Sequence, residues 1–429
     1  MVSASYDVII VGGGISGLFA AREILKKHPT WRVAIAEKYK TLGGRTSTYH
    51  HGNLQWEAGA GRILESHTHV MKLLKEYGLT WSPIGTEIAF KPVNQPLVPN
   101  RFEKLFIPLY LNVLSKLSPK ILANNTIEQL MKQIYGQKFA TEILHLFPYR
   151  SEVNTLRADL ALQTFLKGEM STHEGYGIVA EGFSALVNAL RADVEARGCI
   201  VLPRHTLINI AKVSGLPTKT DCIFRFGREK TVEPTGIITL RAERACLLTL
   251  CRCHVAALPF MRNVPALRYV IGRPLLRIYM VFPTKDVWFK GLPSVVTPLR
   301  PRYILPISVE KGVIMISYTD AEDTEFYSRV LKERGDAALE AVVLADVRRV
   351  FPEYKIPRPT FTKAHYWGTG ASYWLPGSYD PEVESMKAMR PLESFKGLYM
   401  CGESWSLRQA WVEGALEHTQ KCLALSNLS

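Results

Sequence analysis

The chain has 429 residues, of which 47% are hydrophobic, and carries a formal net charge of +14. That length can bury a sizeable core and predicts two domains or one discontinuous pair, and the apolar fraction is that of a globular protein. The seven cysteines (Cys199, Cys222, Cys246, Cys251, Cys253, Cys401 and Cys422) are odd in number and scattered, which does not resemble a disulfide framework and favours a reducing compartment.

In chain order, Tyr6 to Val11 (YDVIIV) reads as a buried strand that runs into Gly12-Gly13-Gly14-Ile15-Ser16-Gly17. Ile15, Leu18, Phe19 and Leu25 then recur at roughly helical spacing. A lone glycine fingerprint is weak, but strand-turn-helix is the context it requires. Gly12 permits the tight turn, Gly14 lets backbone approach a pyrophosphate, and Gly17 lets helix pack on strand. The helix start at Ile15 and Ser16 offers free N–H groups and a positive dipole end to phosphate. A second strand, Arg32 to Glu37, ends in an acid about 20 residues past the last glycine. Glu37, with Lys38 beside it, is placed to accept hydrogen bonds from an unphosphorylated ribose, which argues against NADP. A glycine-rich βαβ turn without a ligand is the alternative. Thr41-Leu42-Gly43-Gly44-Arg45-Thr46 comes next, two glycines and a cation that suit close approach to a buried pyrophosphate.

GGGISG, Glu37 and GGRT together resemble the flavin-containing amine oxidase superfamily. It includes monoamine, polyamine and L-amino-acid oxidases, with protoporphyrinogen oxidase and carotenoid desaturases as relatives. The match keeps motif order along the whole chain and is specific to the superfamily, not to a substrate. It implies an α/β fold (α+β overall), with a Rossmann-like FAD-binding domain interleaved with a substrate domain of mixed sheet plus helices. The expected division gives residues 1–80, 178–258 and 385–429 to FAD binding, and 81–177 and 259–384 to the substrate domain.

Glu57-Ala58-Gly59-Ala60-Gly61-Arg62-Ile63 matches the family segment that passes the flavin. Gly61 and Arg62 are therefore expected at the cofactor. L-Amino-acid oxidases place an arginine here that clamps the substrate carboxylate, and bidentate pairing is the physical reason for such selection. Neutralising cofactor phosphate or pairing with Glu65 is the other role open to Arg62. Proline-punctuated sequence at Pro83, Pro92, Pro96 and Pro99 then marks a crossing between domains. Phe102 to Thr172 is largely helical in pattern, with Thr126 to Gln129 as a capping box.

Gly177 to Leu186 resembles the family's return to the cofactor domain through a helix ending near Gly198. Cys199 to Leu202 and Thr206 to Ile210 read as strands, and the resemblance gives Leu207 a backbone contact to adenine. Cys251-Arg252-Cys253-His254 invites a metal reading, but no second ligand pair stands at suitable spacing, so an interior strand end is preferred and no metal is expected.

Between Arg244 and Arg302 stand eight arginines and two lysines against one acid, Asp286. Anionic substrates, nucleic acid or a solvated basic face could each account for this, and no aromatic-interleaved motif favours nucleic acid. Residues from Pro259 to Pro381 form a β-rich block, with strands at Leu275–Phe282, Val313–Tyr318 and Pro359–Trp367. Many amine oxidases carry a lysine on the strand facing flavin N5; aligning Pro274 to Tyr279 there puts Arg277 in its place. Arginine keeps the charge but is no base, which questions efficient reaction with O2, the acceptor the family implies. The alternative for Arg277 is a surface-facing strand residue.

No cysteine stands in Gly368 to Leu375, before Pro376-Gly377, where monoamine oxidases bond the ring, so the FAD is expected to be non-covalent. The chain returns to the cofactor near Leu398 to Met400, and Gly402-Glu403 resembles the segment whose acid lies near pyrophosphate and ribitol. Val412 takes the position whose backbone N–H meets the flavin ring, and Trp411 that of a substrate-cage aromatic. Four tryptophans (Trp367, Trp374, Trp405, Trp411) in this stretch support a cavity wall, with Tyr373 or Trp374 as further lining. The resemblance thus implies oxidation of a primary amine or L-amino acid to the imine, with Arg277 and Trp411 nearest the chemistry. A protoporphyrinogen-oxidase-like desaturase and a non-catalytic flavin-bound scaffold are the alternatives. Only Met1 to Ser5 precede the first strand, no apolar run spans a bilayer and no anchoring tail closes the chain, so a cytoplasmic protein is expected.

Overall fold

Five short apolar runs, distant in sequence, pair in parallel at the centre of a seven-stranded sheet. They are Ala4–Val11, Val33–Ala36, Ile200–Leu202, Gly236–Leu248 and Leu398–Met400. Such strands are apolar throughout because both faces are covered, as Val8, Ile9 and Ile10 show, all fully buried. The computed structural model describes residues 2–85, 87–165, 175–227, 236–285 and 287–428.

Register fixes where this sheet can bind anything. Val11 lies opposite Ala36 and Leu248, Leu248 opposite Met400, and Ala36 opposite Leu202. All five strands therefore end at one edge, the side on which open parallel sheets take their ligands. The helix Ile15–Lys27 packs against Phe183–Ala196 and Val412–Leu425 over one face of the sheet. His205–Val213 and Leu216–Phe226 extend the sheet with antiparallel pairing.

A second seven-stranded sheet joins Phe361–Trp374, Val270–Val281, Val313–Asp320, Tyr303–Ser308, Ser294–Val296, Ile88–Phe90 and Val98–Pro99, in that order. The proline-rich stretch contributes its last two strands, Ile88–Phe90 and Val98–Pro99, at one end of this sheet. A small third sheet pairs Ile63–Leu64 and Trp81–Pro83 with Tyr176–Val179, straddling two of the expected domain boundaries. Helices fill Phe102 to Thr164 around a buried knot of Phe102, Phe106, Phe147 and Phe165. The capping box at Thr126 and Gln129 has both reciprocal bonds. The end of that expected helical stretch, from 166 on, lies outside the described residues, as does Asp286.

Three features differ from expectation. The β-rich block also holds the helix Glu325–Val350, whose apolar phase is broken by non-helical Gly335 at φ +77°. Cys251 is not a strand end: the strand stops at Leu248, and Cys251 caps the short helix Arg252–Ala256. The basic stretch is not simply a solvated face, because six of its arginines bond within the fold. Arg244 pairs with Asp7, Arg273 with Glu322, Arg300 with Asp346 and Arg302 with Asp323. Arg252 donates to the carbonyls of Val270 and Leu267, and Arg277 to that of Glu57.

A tight helix–strand approach sits at Gly17, where a Cβ would stand 2.0 Å from the Gly12 carbonyl oxygen. Gly17→Ala must push the helix off the sheet, at no less than the ~1–3 kcal/mol of core overpacking. Urea denaturation should show that loss together with weaker cofactor retention; unchanged stability would refute this account of Gly17.

Candidate active site

One cavity of about 910 Å³ runs along the sheet's ligand edge and beneath the second sheet. Such a volume is at the upper end for small-molecule sites. Its floor is built from the residues just past the parallel strands: Gly12 and Gly14 after the first, Glu37 and Lys38 after the second, Thr249 to Cys251 after the fourth, and Gly402-Glu403 after the fifth.

The first turn of Ile15–Lys27 has no side-chain cap and no acidic residue, so its N–H groups and dipole are left to an anion. The nearest atom to a Cβ built at Gly14 is the Gly43 carbonyl oxygen, 3.9 Å away, so a side chain there would occupy the cradle itself. The two glycine loops are tied together, Gly43 N–H donating to the Gly13 carbonyl at 2.9 Å. Glu37 accepts from Gly13 N–H at 2.7 Å and from Tyr39 N–H at 2.8 Å. A carboxylate has about four lone-pair sites, so capacity remains for ribose hydroxyls. These features fit a dinucleotide with its pyrophosphate at the helix start.

Arg45 reaches across the cradle, donating to the Gly370 carbonyl at 3.1 Å and pairing with Glu403 at 2.8 Å. Burial alone would lower its pKa, but Glu403 outweighs it and the guanidinium is held charged. Glu403 also accepts from Ser372 N–H at 2.8 Å and Ala410 N–H at 3.0 Å. Its oxygens are thus engaged by protein, and Glu403 joins three segments at the wall of the cavity. Ala410 adopts φ +66°, and the chain from there presents Trp411 and Val412 to the cavity as the helix Val412–Leu425 begins.

Most of the expected residues line this space: Gly12, Gly14, Ile15, Ser16, Glu37, Lys38, Gly44, Arg45, Gly61, Arg62, Leu207, Arg277, Tyr373, Gly402, Glu403, Trp411 and Val412. Two do not. Gly17 faces the strand, and Trp374 is fully buried in the core, its indole donating to the Ser406 carbonyl at 2.9 Å. Adjacent strand residues point to opposite faces, so Tyr373 facing the cavity turns Trp374 away from it. Trp405 is likewise core, whereas Trp367 lines the cavity and donates to the Ala58 carbonyl at 2.6 Å.

Arg62 stands among aromatic rings. Its guanidinium carbon is 5.4 Å from the Tyr149 ring centroid, 4.8 Å from Tyr176 and 5.9 Å from Trp411, and it donates to the Tyr149 hydroxyl at 2.5 Å. Arg277 is only 8% exposed, which removes the surface-facing alternative. It lies 4.7 Å from the Tyr318 centroid and donates to the Glu57 carbonyl at 3.3 Å. Burial pushes its pKa down, and Tyr318 and Tyr279 more than restore it. Sequence reasoning missed Tyr149, Glu152, Tyr318 and Asp320 as lining residues, because nothing local marks them. Cys251, Cys253 and His254 line the cavity as well, where their spacing alone reads as a strand end.

A family profile described as flavin-containing amine oxidoreductase matches residues 15–421. The chain is similar to an L-amino-acid oxidase of Siganus canaliculatus, 23% identical over 462 residues, covering 97% of this chain and 84% of that protein. It is also similar to a flavin-containing amine oxidase of Danio rerio, 31% identical over 88 residues, which is 20% of this chain and spans only 16% of that relative's length. Among solved structures, a cofactor-binding redesign of putrescine oxidase aligns with TM-score 0.76 at 14% identity over 99% of both chains. A protein from Exiguobacterium sp. 255-15, provisionally described as a protoporphyrinogen oxidase, aligns with TM-score 0.73 at 14% identity over 100% of both. At such identity these likenesses speak for the fold alone.

Two buried histidines buttress the site. His418 accepts from Gly402 N–H at 3.4 Å, with its other ring nitrogen 3.4 Å from the Ser385 carbonyl. His67 packs edge-on to Trp411, with ring centroids 4.9 Å apart. Burial lowers both from 6.5 to about 4. The unfolded chain therefore takes up these protons first as pH falls, and the folded one resists. Stability is complete above pH 6.5 and declines towards pH 4, by at most about 1.4 kcal/mol per pH unit for each histidine. Urea titrations at pH 7 and pH 5 should show the loss, reduced in His418→Asn; equal stability at both pH values would refute it.

Proposed function

The chain belongs to the family of flavin-containing amine oxidoreductases, which makes it an FAD-dependent enzyme, and from that premise we propose that its substrate is a carboxylate-bearing primary amine of the L-amino-acid class. FAD supplies the hydride acceptor for oxidation of an amine to the imine. The residues of this chain bind, orient and shield. Gly12, Gly14, Ile15, Ser16, Gly44 and Arg45 would hold the pyrophosphate, Glu37 and Lys38 the adenosine ribose, and Leu207 the adenine. Gly61, Gly402 and Val412 would line the isoalloxazine side. Within this reading the FAD is non-covalent and O2 the acceptor, with reoxidation slowed by arginine at position 277. The cofactor domain comprises 1–80, 178–258 and 385–429, and the substrate domain the remainder.

The observation that carries the substrate class is Arg62 within its ring of Tyr149, Tyr176 and Trp411. Aromatic faces that would otherwise cage a substrate ammonium are here occupied by a guanidinium. With Arg277 in the same cavity, a substrate bearing only positive charge meets repulsion. A carboxylate meets a planar fork of donors already oriented by Tyr149. Glu152 and Asp320 line the same cavity and bring negative charge for a substrate ammonium, Asp320 with both oxygens also accepting from the Arg150 and Ser151 N–H groups. The length-wide similarity to an L-amino-acid oxidase supports the same reading.

The test is anaerobic bleaching of the yellow protein by L-amino acids, by the corresponding decarboxylated amines and by protoporphyrinogen, each added separately. Amino acids should reduce the flavin, and Arg62→Ala should weaken their apparent binding about 100-fold or more, the value of a charge-assisted pair of hydrogen bonds. The decarboxylated amine should lose nothing, or gain, in that variant. Equal use of amines and amino acids, unaffected by Arg62→Ala, would overturn the carboxylate clamp. Reduction by protoporphyrinogen alone would move the assignment to the desaturase branch.

A further inference from the structure

Cys251, Cys253 and His254 have no part in the reading above, yet all three line the cavity. In an extended strand the two cysteines would share one face and the histidine would point to the other. Because Cys251 instead caps the helix Arg252–Ala256, the turn gathers all three side chains. Cys251 Sγ lies 3.1 Å from Cys253 Sγ and 3.0 Å from His254 Nδ1, and the three donor atoms fall within 4.8 Å of one another.

We propose that Cys251, Cys253 and His254 form a three-donor site for a thiophilic divalent cation of the Zn²⁺ class, open on its fourth side to the cavity. Two thiolates and an imidazole are the donor set such ions select. Tetrahedral coordination at ordinary Zn–S and Zn–N distances needs Cys251 Sγ to move only about 0.6 Å away from Cys253 Sγ and from His254 Nδ1. Cys253 is exposed, so an ion can reach the site, and Cys251 is half-buried, so it is held in place. Arg45 lies close enough to Cys251 to interact with it electrostatically, which offsets part of the charge of two thiolates. Three protein ligands with one open position is the form of a metal site that can still exchange its fourth ligand.

A second cluster of ligating side chains lacks this freedom. His69, Glu413 and Glu417 also converge, but Glu413 is already consumed. It accepts from the N–H groups of His69 and Val70, from the Thr68 hydroxyl and from the His69 ring, and so works as a helix cap. The Cys251 and Cys253 sulphurs, by comparison, are engaged chiefly with one another and with His254 and Thr369. Their competing fate is a disulfide, formed when both thiols surrender a proton and an electron to a peroxide, which leaves as two waters.

The experiment uses the FAD-loaded protein, reduced and then freed of reductant, titrated with Cd²⁺ as a spectroscopic stand-in for Zn²⁺. The expected result is one equivalent bound per chain with a cadmium–thiolate absorption band, displaced by excess Zn²⁺. Cys253→Ser and His254→Ala should each weaken binding at least tenfold, and Cys251→Ser with Cys253→Ser should abolish the band. Circular dichroism confirms that these variants fold, and Glu417→Gln should leave the stoichiometry at one. Absence of a thiolate band at one equivalent, or a band that survives the double substitution, would overturn the site. So would a Cys251–Cys253 disulfide in protein isolated without reductant that takes up no metal once reduced.

Discussion

The register of five parallel strands is the constraint on which the rest depends. Val11, Ala36, Leu202, Leu248 and Met400 end level because each is hydrogen-bonded into the next. That pairing brings Gly12, Glu37, Thr249 and Gly402, from the start, the middle and the end of the chain, to a single edge. A slip of one residue in the last strand would turn its side chains to the other face and carry Gly402-Glu403 away from the cradle. The C-terminal segment contributes to the site only through this short pairing of Leu398–Met400 with Gly236–Leu248.

The Arg45–Glu403 pair then locks what register has assembled. Arg45 belongs to the second glycine loop, Glu403 to the C-terminal return, and Ser372 and Gly370 to the long strand of the other sheet. One salt bridge with its hydrogen bonds thus connects both sheets at the wall of the cavity. Glu403 is 8% and Arg45 26% exposed at the side chain, so breaking the pair leaves a largely buried carboxylate without its counter-charge. The same carboxylate holds Ala410 in its left-handed conformation, which sets the position of Trp411 against His67 and Arg62.

Part of this protein's positive charge is turned inward, at Arg277 and Arg302, while Arg244, Arg262, Arg268 and Arg300 stay exposed. Arginines between 244 and 302 could have formed a basic face, but most brace the fold: Arg302 is 3% exposed and donates to the carbonyls of Thr297 and Phe147. Arg277, from the same stretch, and Arg62 place two cations in a cavity walled by tyrosines. Guanidinium suits this use because it stacks on rings, donates in several directions and stays ionised when buried.

The parts whose chemistry is local could be read directly from the residues. GGGISG after an apolar strand, the acid at Glu37, GGRT and the capping box at Thr126 each depend on neighbours within a few residues, so their structure was legible. The placement of Arg62, Arg277, Tyr373 and Trp411 in one cavity was legible only through family resemblance, since nothing near them states what they face. What tertiary structure alone decided is which side of an element points inward, and which distant segments meet there. Trp374 is core and Tyr373 is lining because of the parity of one strand. Cys251, Cys253 and His254 converge because the chain turns helical directly after the sheet, and Tyr149, Tyr318 and Asp320 join the wall because their elements happen to cross it. Local steric and hydrogen-bonding rules write the first kind of information into the residues themselves; the second depends on long-range packing, which no short stretch of sequence contains.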